Sequence, residues 1–387
     1  MKKRRLLSLL LAAVMGAGSL AMTAQAAPAE LPAQTTKTAA FAKASDWALD
    51  DWTIFALGRN GETDCDTLYE EYYQSVLELL ADPDANLGLS DYVKISLALT
   101  AIGIDPRDFD GNDLLEKIDQ ADRQEYLAMS PTSLAYSLAL MERYPDSFTG
   151  TIKDDTIQQI LAAKQADGSF SYQVGVTASD PDSTAQVMQG LMLLGNTYAA
   201  EIQGAADWLK AQMNTDGAIV NWGAANPSST AQALIAFSQK GEEPADTSGK
   251  TLFDGMMAFA LPDGSFQDAN WQTGLLEYNA YTSGQCLQAL VAYRRMADGQ
   301  APLFDLSDAT VTPRTKPEEK PQSTVSSEPV SQPSSVPVEK SDSEVSTVVS
   351  SQADDLDTPK TGDMGLVSIA VIGLIAVGAA TVLYKKK

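Results

Sequence analysis

The chain has 387 residues, with 51 acidic side chains, 27 basic ones, two cysteines and no histidine. The lack of histidine excludes Ser-His-Asp and Cys-His nucleophile pairs and histidine-containing zinc sites, and two cysteines are too few for a four-cysteine metal site. A net charge of −24 argues against nucleic acid as a partner, because binding to it requires a basic surface.

The first 26 residues have the pattern of a secretory signal peptide. Four basic residues at positions 2–5 precede an apolar run at 6–22, and Ala24-Gln25-Ala26 matches an A-x-A cleavage site. We therefore expect an exported protein whose mature chain begins at Ala27. Residues 27–44 then form a short N-terminal segment before the main domain.

An internal repeat fills the central part of the chain, residues 45–309. A turn with an Asp-Gly pair recurs at positions 167, 216 and 263, at spacings of 49 and 47 residues. Each turn is followed by a second signature that opens a segment with helical apolar spacing. The three signatures are Ser183-Thr184-Ala185-Gln186, Ser229-Thr230-Ala231-Gln232 and Thr282-Ser283-Gly284-Gln285. They match the S/T-x-x-E/Q capping box, so we predict that they cap helix starts.

The repeat predicts an all-α domain built as an α/α toroid of about six helix pairs. Three inner helices begin at the signatures, and three more are predicted at residues 46–57, 90–102 and 131–141. Outer partners are predicted at residues 66–80, 112–122, 154–164, 200–213 and 251–259, with residues 39–42 as a candidate for the sixth. Each pair has an apolar face that it cannot bury alone, and closing the ring buries all of these faces.

The segment that follows, residues 310–357, is predicted to be a disordered stalk. Its 48 residues hold 11 Ser, 5 Thr and 6 Pro and no aromatic residue. Such a composition cannot bury enough apolar surface to offset the entropy of ordering.

The last 30 residues, 358–387, combine a short motif, an apolar span and a basic tail. Residues 364–384 carry no charge, span about 30 Å as a helix, and precede three lysines. This arrangement resembles the sorting signal of Gram-positive wall proteins, whose L-P-x-T-G motif sortase cleaves between Thr and Gly. The motif here is Thr358-Pro359-Lys360-Thr361-Gly362, with Thr358 in the place of leucine. The resemblance implies sortase as a processing partner and anchoring to the cell wall on the extracellular face. A single-span membrane protein is the alternative, and in both cases the domain lies outside the cell.

The central repeat resembles that of the prenyltransferase and squalene-cyclase superfamily. The resemblance rests on the turn at residues 165–170, Gln-Ala-Asp-Gly-Ser-Phe, and on Asp182-Ser183-Thr184-Ala185-Gln186 after it. Class II terpene cyclases of that superfamily protonate their substrate with a D-x-D-D-T-A motif. The corresponding residues here begin at Asp180, so the resemblance implies Asp182 as a proton donor and Asp180 as its neighbouring carboxylate. The last Asp of the motif is replaced by Ser183.

The residues themselves favour a structural role for Asp182, because a carboxylate near a helix N-terminus is stabilised by the helix dipole. A binding module is therefore favoured over an enzyme. No catalytic residue, metal site or cofactor is predicted. Three alternatives remain: acid chemistry at Asp180 and Asp182, a purely structural surface spacer, and corrinoid binding, since cobalamin carriers use a similar toroid.

Long loops between outer and inner helices are where we expect the ligand to bind. They hold aromatic side chains beside amides and carboxylates, which suit a glycan or a peptide. Phe170, Ile219 and Phe266 match between repeats and are predicted to fill turns. The predicted ligand-binding residues are Tyr172, Asn221, Trp222, Trp271 and Tyr281.

The two cysteines, Cys65 and Cys286, are predicted to be free thiols. The predicted helices place them at opposite ends of the ring, about 18 Å apart, whereas disulfide-bonded Cα atoms lie within about 7 Å.

Overall fold

The computed structural model describes residues 27–270 and 272–314. The signal peptide, most of the stalk, the motif Thr358-Pro359-Lys360-Thr361-Gly362 and the apolar span at 364–384 lie outside the described residues, as does Trp271. Within the described ranges, every helix is too short or too polar to span a bilayer.

The described residues form thirteen α-helices in an inner and an outer layer. The inner helices are α2 (Asp51–Asn60), α4 (Leu89–Ala101), α7 (Pro131–Arg143), α9 (Pro181–Met192), α11 (Pro227–Lys240) and α13 (Ala280–Ala297). The outer helices are α1 (Leu31–Lys43), α3 (Asp66–Ala81), α5 (Leu114–Asp119), α6 (Arg123–Leu127), α8 (Ile152–Leu161), α10 (Ala199–Ala211) and α12 (Leu252–Met257). The predicted predominance of helix is thus confirmed.

The inner helices contact one another in the order α2, α4, α7, α9, α11 and α13, and α13 contacts α2. This order closes a ring. Helix α1 packs against α13 and is therefore the sixth outer helix. It contains residues 39–42, which were the candidate for this helix. Thr38 on α1 donates a hydrogen bond to the carbonyl of Gly264 in the last Asp-Gly turn, at 2.8 Å. Gly264 has φ +103°, and a Cβ there would lie 2.7 Å from the carbonyl oxygen of Lys37. The contact between α1 and this turn, which we call the seam, therefore requires glycine.

The strands form three two-stranded pairs. Antiparallel hairpins are made by β2 (Val220–Asn221) with β3 (Ala224–Ala225) and by β4 (Gln267–Ala269) with β5 (Leu276–Tyr278). The parallel pair is β1 (Ile104–Phe109) with β6 (Thr312–Arg314). Strand β6 corrects one prediction, because residues 310–314 were assigned to the stalk and instead belong to the domain. Arg314 holds the strand in place, with its guanidinium 4.1 Å above the ring of Tyr73.

The starts of the inner helices also correct a prediction. The N-cap residues of the last three are Asp180, Asn226 and Asn279, which accept hydrogen bonds from backbone N–H groups three residues later, at 2.7–2.9 Å. The signatures therefore begin at the third helical position and are not capping boxes. A proline at the first helical position of α9 and α11 marks the true start.

Each signature instead ties its helix to the preceding turn. The hydroxyls of Thr184, Thr230 and Ser283 accept hydrogen bonds from the backbone N–H of Phe170, Ile219 and Phe266, each at 2.9 Å. The three turn residues are completely buried, as their predicted role of filling turns requires.

The signature glutamines link neighbouring inner helices, and this replaces the capping role predicted for them. Gln186 accepts a hydrogen bond from Thr132 of α7 at 2.9 Å. Gln232 accepts one from Gln189 at 3.2 Å and donates one to Gln285. These bonds join the first turns of α7, α9, α11 and α13. At the opposite ends, Arg295 of α13 donates to the carbonyl of Arg59 of α2, and Thr100 of α4 bonds to Tyr144 after α7. The inner helices therefore run parallel and begin at one end of the ring. We call this end the mouth and the opposite one the far end.

The far end is closed by the C-terminal segment of the domain, residues 300–314. Arg59 at the end of α2 donates to Asp308 at 2.6 Å and to the carbonyl of Leu303 at 2.9 Å. This clamp places Phe304, which is 2 % exposed, in the centre of the ring. Its ring centroid lies 5.0 Å from that of Phe55 and 4.9 Å from that of Tyr136.

Both cysteines are free, as predicted, and both are buried. Burial raises the pKa of the Cys286 thiol well above its ordinary value, so this thiol is protonated and unreactive.

Candidate functional site at the mouth of the ring

The mouth is shallow because aromatic side chains fill the centre of the ring just below it. The ring of Trp52, the second residue of α2, lies 4.8 Å from that of Tyr136 and 6.2 Å from that of Phe304. These three side chains form the floor. The second residues of the six inner helices lie at one level around it, and they are Trp52, Ser90, Thr132, Asp182, Ser228 and Tyr281.

Asp182 is a strongly perturbed carboxyl group at the mouth. Its Oδ1 atom is shielded from solvent and has no hydrogen-bond partner among the described residues, while Ser229 on α11 hydrogen-bonds the carboxylate. The pKa of Asp182 is raised to about 7, first by burial and then by the charges of Asp180 and Asp268. The carboxyl is therefore poised to exchange a proton near neutral pH.

Asp180 and Asp268 flank this group from two elements. Asp180 caps α9 through the backbone N–H of Ser183, at 2.7 Å. Asp268, on β4, accepts a hydrogen bond from the hydroxyl of Thr282 at 2.9 Å.

A second pair of carboxylates begins α2. Asp50 caps the helix, accepting from the backbone N–H of Trp52 at 3.0 Å, and burial raises its pKa. Asp51 accepts a hydrogen bond from the hydroxyl of Tyr72 at 2.8 Å. Its pKa is raised to about 7, first by burial and then by the charge of Asp50. Lys94, 2.8 Å from Asp91, is a basic side chain whose charge favours ionisation of this pair.

Tyr281 projects between the two groups of carboxylates. The side chain is 54 % exposed, yet burial raises the pKa of its hydroxyl, and the charges of Asp182, Asp180 and Asp50 raise it further. We call this part of the mouth, with its aromatic floor, its acidic side chains and Tyr281, the bowl.

Four of the five predicted ligand-binding residues can be located. Tyr281 lies inside the bowl, and Asn221 is next to it, donating to the hydroxyl of Ser229 at 3.1 Å. Trp222 lies at the tip of the β2–β3 hairpin with φ 55° and 68 % exposure, outside the bowl. Tyr172 is half-buried in the loop between α8 and α9.

Sequence reasoning missed Asp50, Asp51 and Asp268. The first two carry a signal that was available in the sequence. Asp50 and Thr53 repeat the spacing of Asp180 and Ser183, which are the cap and the third helical residue of α9. Asp268 has no such signal, because its position depends on the β4–β5 hairpin.

Two other features of the described residues resemble binding sites but have structural explanations. Glu62, Asp64 and Cys65 offer ligand atoms within 4.8 Å of one another. The ammonium of Lys43 already lies 2.9 Å from Glu62 and 2.8 Å from Asp64 and compensates their charge. A concavity of about 370 Å³ at the far end is lined in part by Arg59 and Asp308, which hold the C-terminal segment.

Comparison with known proteins shows a likeness of fold. No family model matches the sequence, and no curated protein does. Among solved structures, the type II terpene cyclase MstE from Scytonema matches with a TM-score of 0.50 and 11% identity, over 69% of this chain and 99% of that one. A protein from Actinoplanes matches with a TM-score of 0.49 and 15% identity over the same shares. The chain therefore has a terpene-cyclase-like helical fold.

Proposed function

We propose that this domain is an extracellular binding module whose mouth captures a polar ligand, a glycan or a peptide. The observation that carries the proposal is the exposed side chain of Tyr281, which lies at the mouth within the electrostatic influence of Asp182, Asp180 and Asp50. Aromatic faces beside a few polar groups are typical of sites that bind such ligands.

The composition of the wall supports a polar ligand over a long hydrocarbon. Below Asp182 the amide side chains of Gln186, Gln232 and Gln285 are buried and bonded between the inner helices, and below Trp52 the centre is filled by Phe304, so no deep apolar cavity opens from the mouth in the described part of the chain. A polyisoprene chain needs a deep apolar cavity, because its binding depends on buried apolar area. The carboxylates at the mouth suit a ligand that brings its own hydrogen-bonding groups.

Display at the cell surface is a separate part of the proposal. It is supported by the signal-peptide pattern at residues 1–26, the sorting-type motif at 358–362 and the apolar span at 364–384. Sortase is the proposed processing partner and the envelope the proposed point of attachment.

Saturation-transfer NMR on the full-length chain, with a panel of short peptides and oligosaccharides, tests the binding proposal. We expect Tyr281→Ala to abolish the transfer to any ligand found and the matched variant Tyr281→Phe, which keeps the ring, to retain it. The proposal is overturned if no member of either class binds, or if Tyr281→Ala binds as the unmodified protein does.

A second candidate, acid catalysis by Asp182, is favoured by one specific observation. Its pKa of about 7 leaves a large fraction protonated at neutral pH, with the carboxylate of Asp180 beside it. The likeness to a type II terpene cyclase agrees with this candidate at the level of the fold. Mass spectrometry of the ligands after incubation at pH 6 would reveal turnover. Loss of turnover in Asp182→Asn with retained binding would assign the proton donor.

A further inference from the structure

Negative charge is concentrated at the mouth. The charges of Asp180 and Asp268 both act on Asp182 and raise its pKa. In the described part of the chain, Lys94 compensates Asp50 and Asp51 on the α2 side, whereas the charges that act most strongly on Asp182 are those of other carboxylates. Concentrated like charges are costly to bury, so this side of the bowl favours an incoming positive charge.

The carboxyl group of Asp182 can receive it. Its Oδ1 atom is shielded from solvent and lacks a hydrogen-bond partner among the described residues, but the residue as a whole is half-buried and not fully covered. A buried acceptor without a donor costs free energy, and native structures leave few of them. A cation at the accessible part of the carboxylate would offset this cost electrostatically.

Tyr281 provides a second contact for a cation at the same place. The charge of Asp182 is the strongest electrostatic influence on the Tyr281 hydroxyl, and the two residues occupy the same position, the second, of α9 and α13. More than half of the Tyr281 side chain is open to the bowl. An aromatic face beside a carboxylate binds ammonium and guanidinium groups through combined cation–π and ionic attraction.

We infer that the ligand is a peptide and that a lysine or arginine side chain enters the bowl between Asp182 and Tyr281. This inference deepens the proposed function and depends on it. It selects the peptide among the ligand classes named above, because a neutral glycan brings no positive charge.

The rim beside the bowl supports a peptide over a small free amine. Leu275, Leu276 and Tyr278 are 69 %, 52 % and 45 % exposed. They lie just before Asn279, the cap of α13, and so adjoin Tyr281 in sequence. Strand β5 pairs with β4 on one side and, within the described ranges, with no strand on the other. Apolar side chains and a free strand edge are features that bind peptide main chains and flanking residues.

Isothermal titration calorimetry on the full-length chain tests the inference with defined probes. The peptides are acetyl-Gly-Xaa-Gly-amide with lysine, arginine, glutamine or glutamate at the centre, and spermidine and chitotriose represent a free amine and a neutral glycan. We expect the lysine and arginine peptides to bind about tenfold or more tightly than the glutamine peptide, and the glutamate peptide to bind least. Asp182→Asn should reduce the preference to about threefold or less, while Asp207→Asn on the outer surface of α10 should leave it unchanged.

Each remaining outcome decides a different point. Binding of chitotriose or the glutamine peptide as tightly as the lysine peptide overturns the inference and leaves the proposed function intact. Spermidine binding more tightly than the lysine peptide overturns the choice of a peptide. Failure of every probe overturns both the inference and the proposed function. If Asp182→Asn does not fold, Tyr281→Leu serves instead and should reduce the preference for lysine and arginine by removing the aromatic face.

Discussion

Replacing Asp182 by asparagine should change the stability of the domain in a pH-dependent way. The pKa of this carboxyl rises from 3.8 to about 7 on folding, mainly because of burial. Each pKa unit corresponds to about 1.4 kcal/mol, so ionising Asp182 at pH 8 costs the folded state on the order of 4 kcal/mol. Asparagine has nearly the same shape and no charge, and it removes this cost.

The sign of the effect depends on the pH. Below pH 3.8 the carboxyl is protonated in the folded and unfolded states, and asparagine gains nothing. Between pH 3.8 and 7 the cost to the unmodified protein grows, and above pH 7 it is complete. Asparagine should lose up to about 1 kcal/mol through its altered hydrogen bond with Ser229. The stability difference between variant and unmodified protein should therefore shift in favour of the variant by about 3 kcal/mol between pH 5 and pH 8.

Urea unfolding followed by tryptophan fluorescence measures this difference at the two pH values. Asp207→Asn, exposed on α10, is the matched control and should show the same small difference at both. A stability difference for Asp182→Asn that does not change with pH would refute the reasoning, since it would mean that the carboxyl is not desolvated by the fold.

Three further substitutions test the architecture by urea or thermal unfolding. Phe304→Ala should cost about 3–5 kcal/mol, because it empties the centre of the ring; a cost below about 1 kcal/mol would mean that the centre is not packed as described. Gly264→Ala should be much more destabilising than Gly274→Ala, since both have positive φ but only the first would bring a Cβ against Lys37, and equal effects would contradict the seam. Trp222→Ala should alter stability by less than about 0.5 kcal/mol because the side chain is 68 % exposed, and a larger loss would show that it packs.

The helical ring could be predicted from the sequence because its signals are local. Apolar residues at helical spacing mark the inner helices, and the recurring Asp-Gly turns give the period. The same local signals misplaced the helix starts. Ser183 and Gln186 fit a capping box, but Asp180 followed by a proline fits a cap equally well, and only the backbone conformation distinguishes them.

The candidate site could be predicted only in part. Tyr281 and Asn221 lie in a repeat whose loops are long, so their position at the mouth followed from the pattern. Phe304 gave no such signal, because it is a single apolar side chain in a segment without periodicity. Phe304 packs in the centre only after its segment has bound to α2, which lies about 250 residues earlier in the chain. The acidic side of the bowl likewise combines Asp182 with Asp268, which a sequence pattern does not place together.

The closure of the ring determines how this domain can fold. The contacts that complete it join residues far apart along the chain, as Thr38 with Gly264 and Arg59 with Asp308 are separated by 226 and 249 residues. Contacts at such separation form late, because a long loop must first be closed. Helices α2 and α13 therefore keep their joining faces exposed until nearly the whole domain has been synthesised. The period in which the chain is most prone to associate with other chains is thus set by the arrival of the last fifteen residues of the domain, 300–314, and not by the folding of any single repeat.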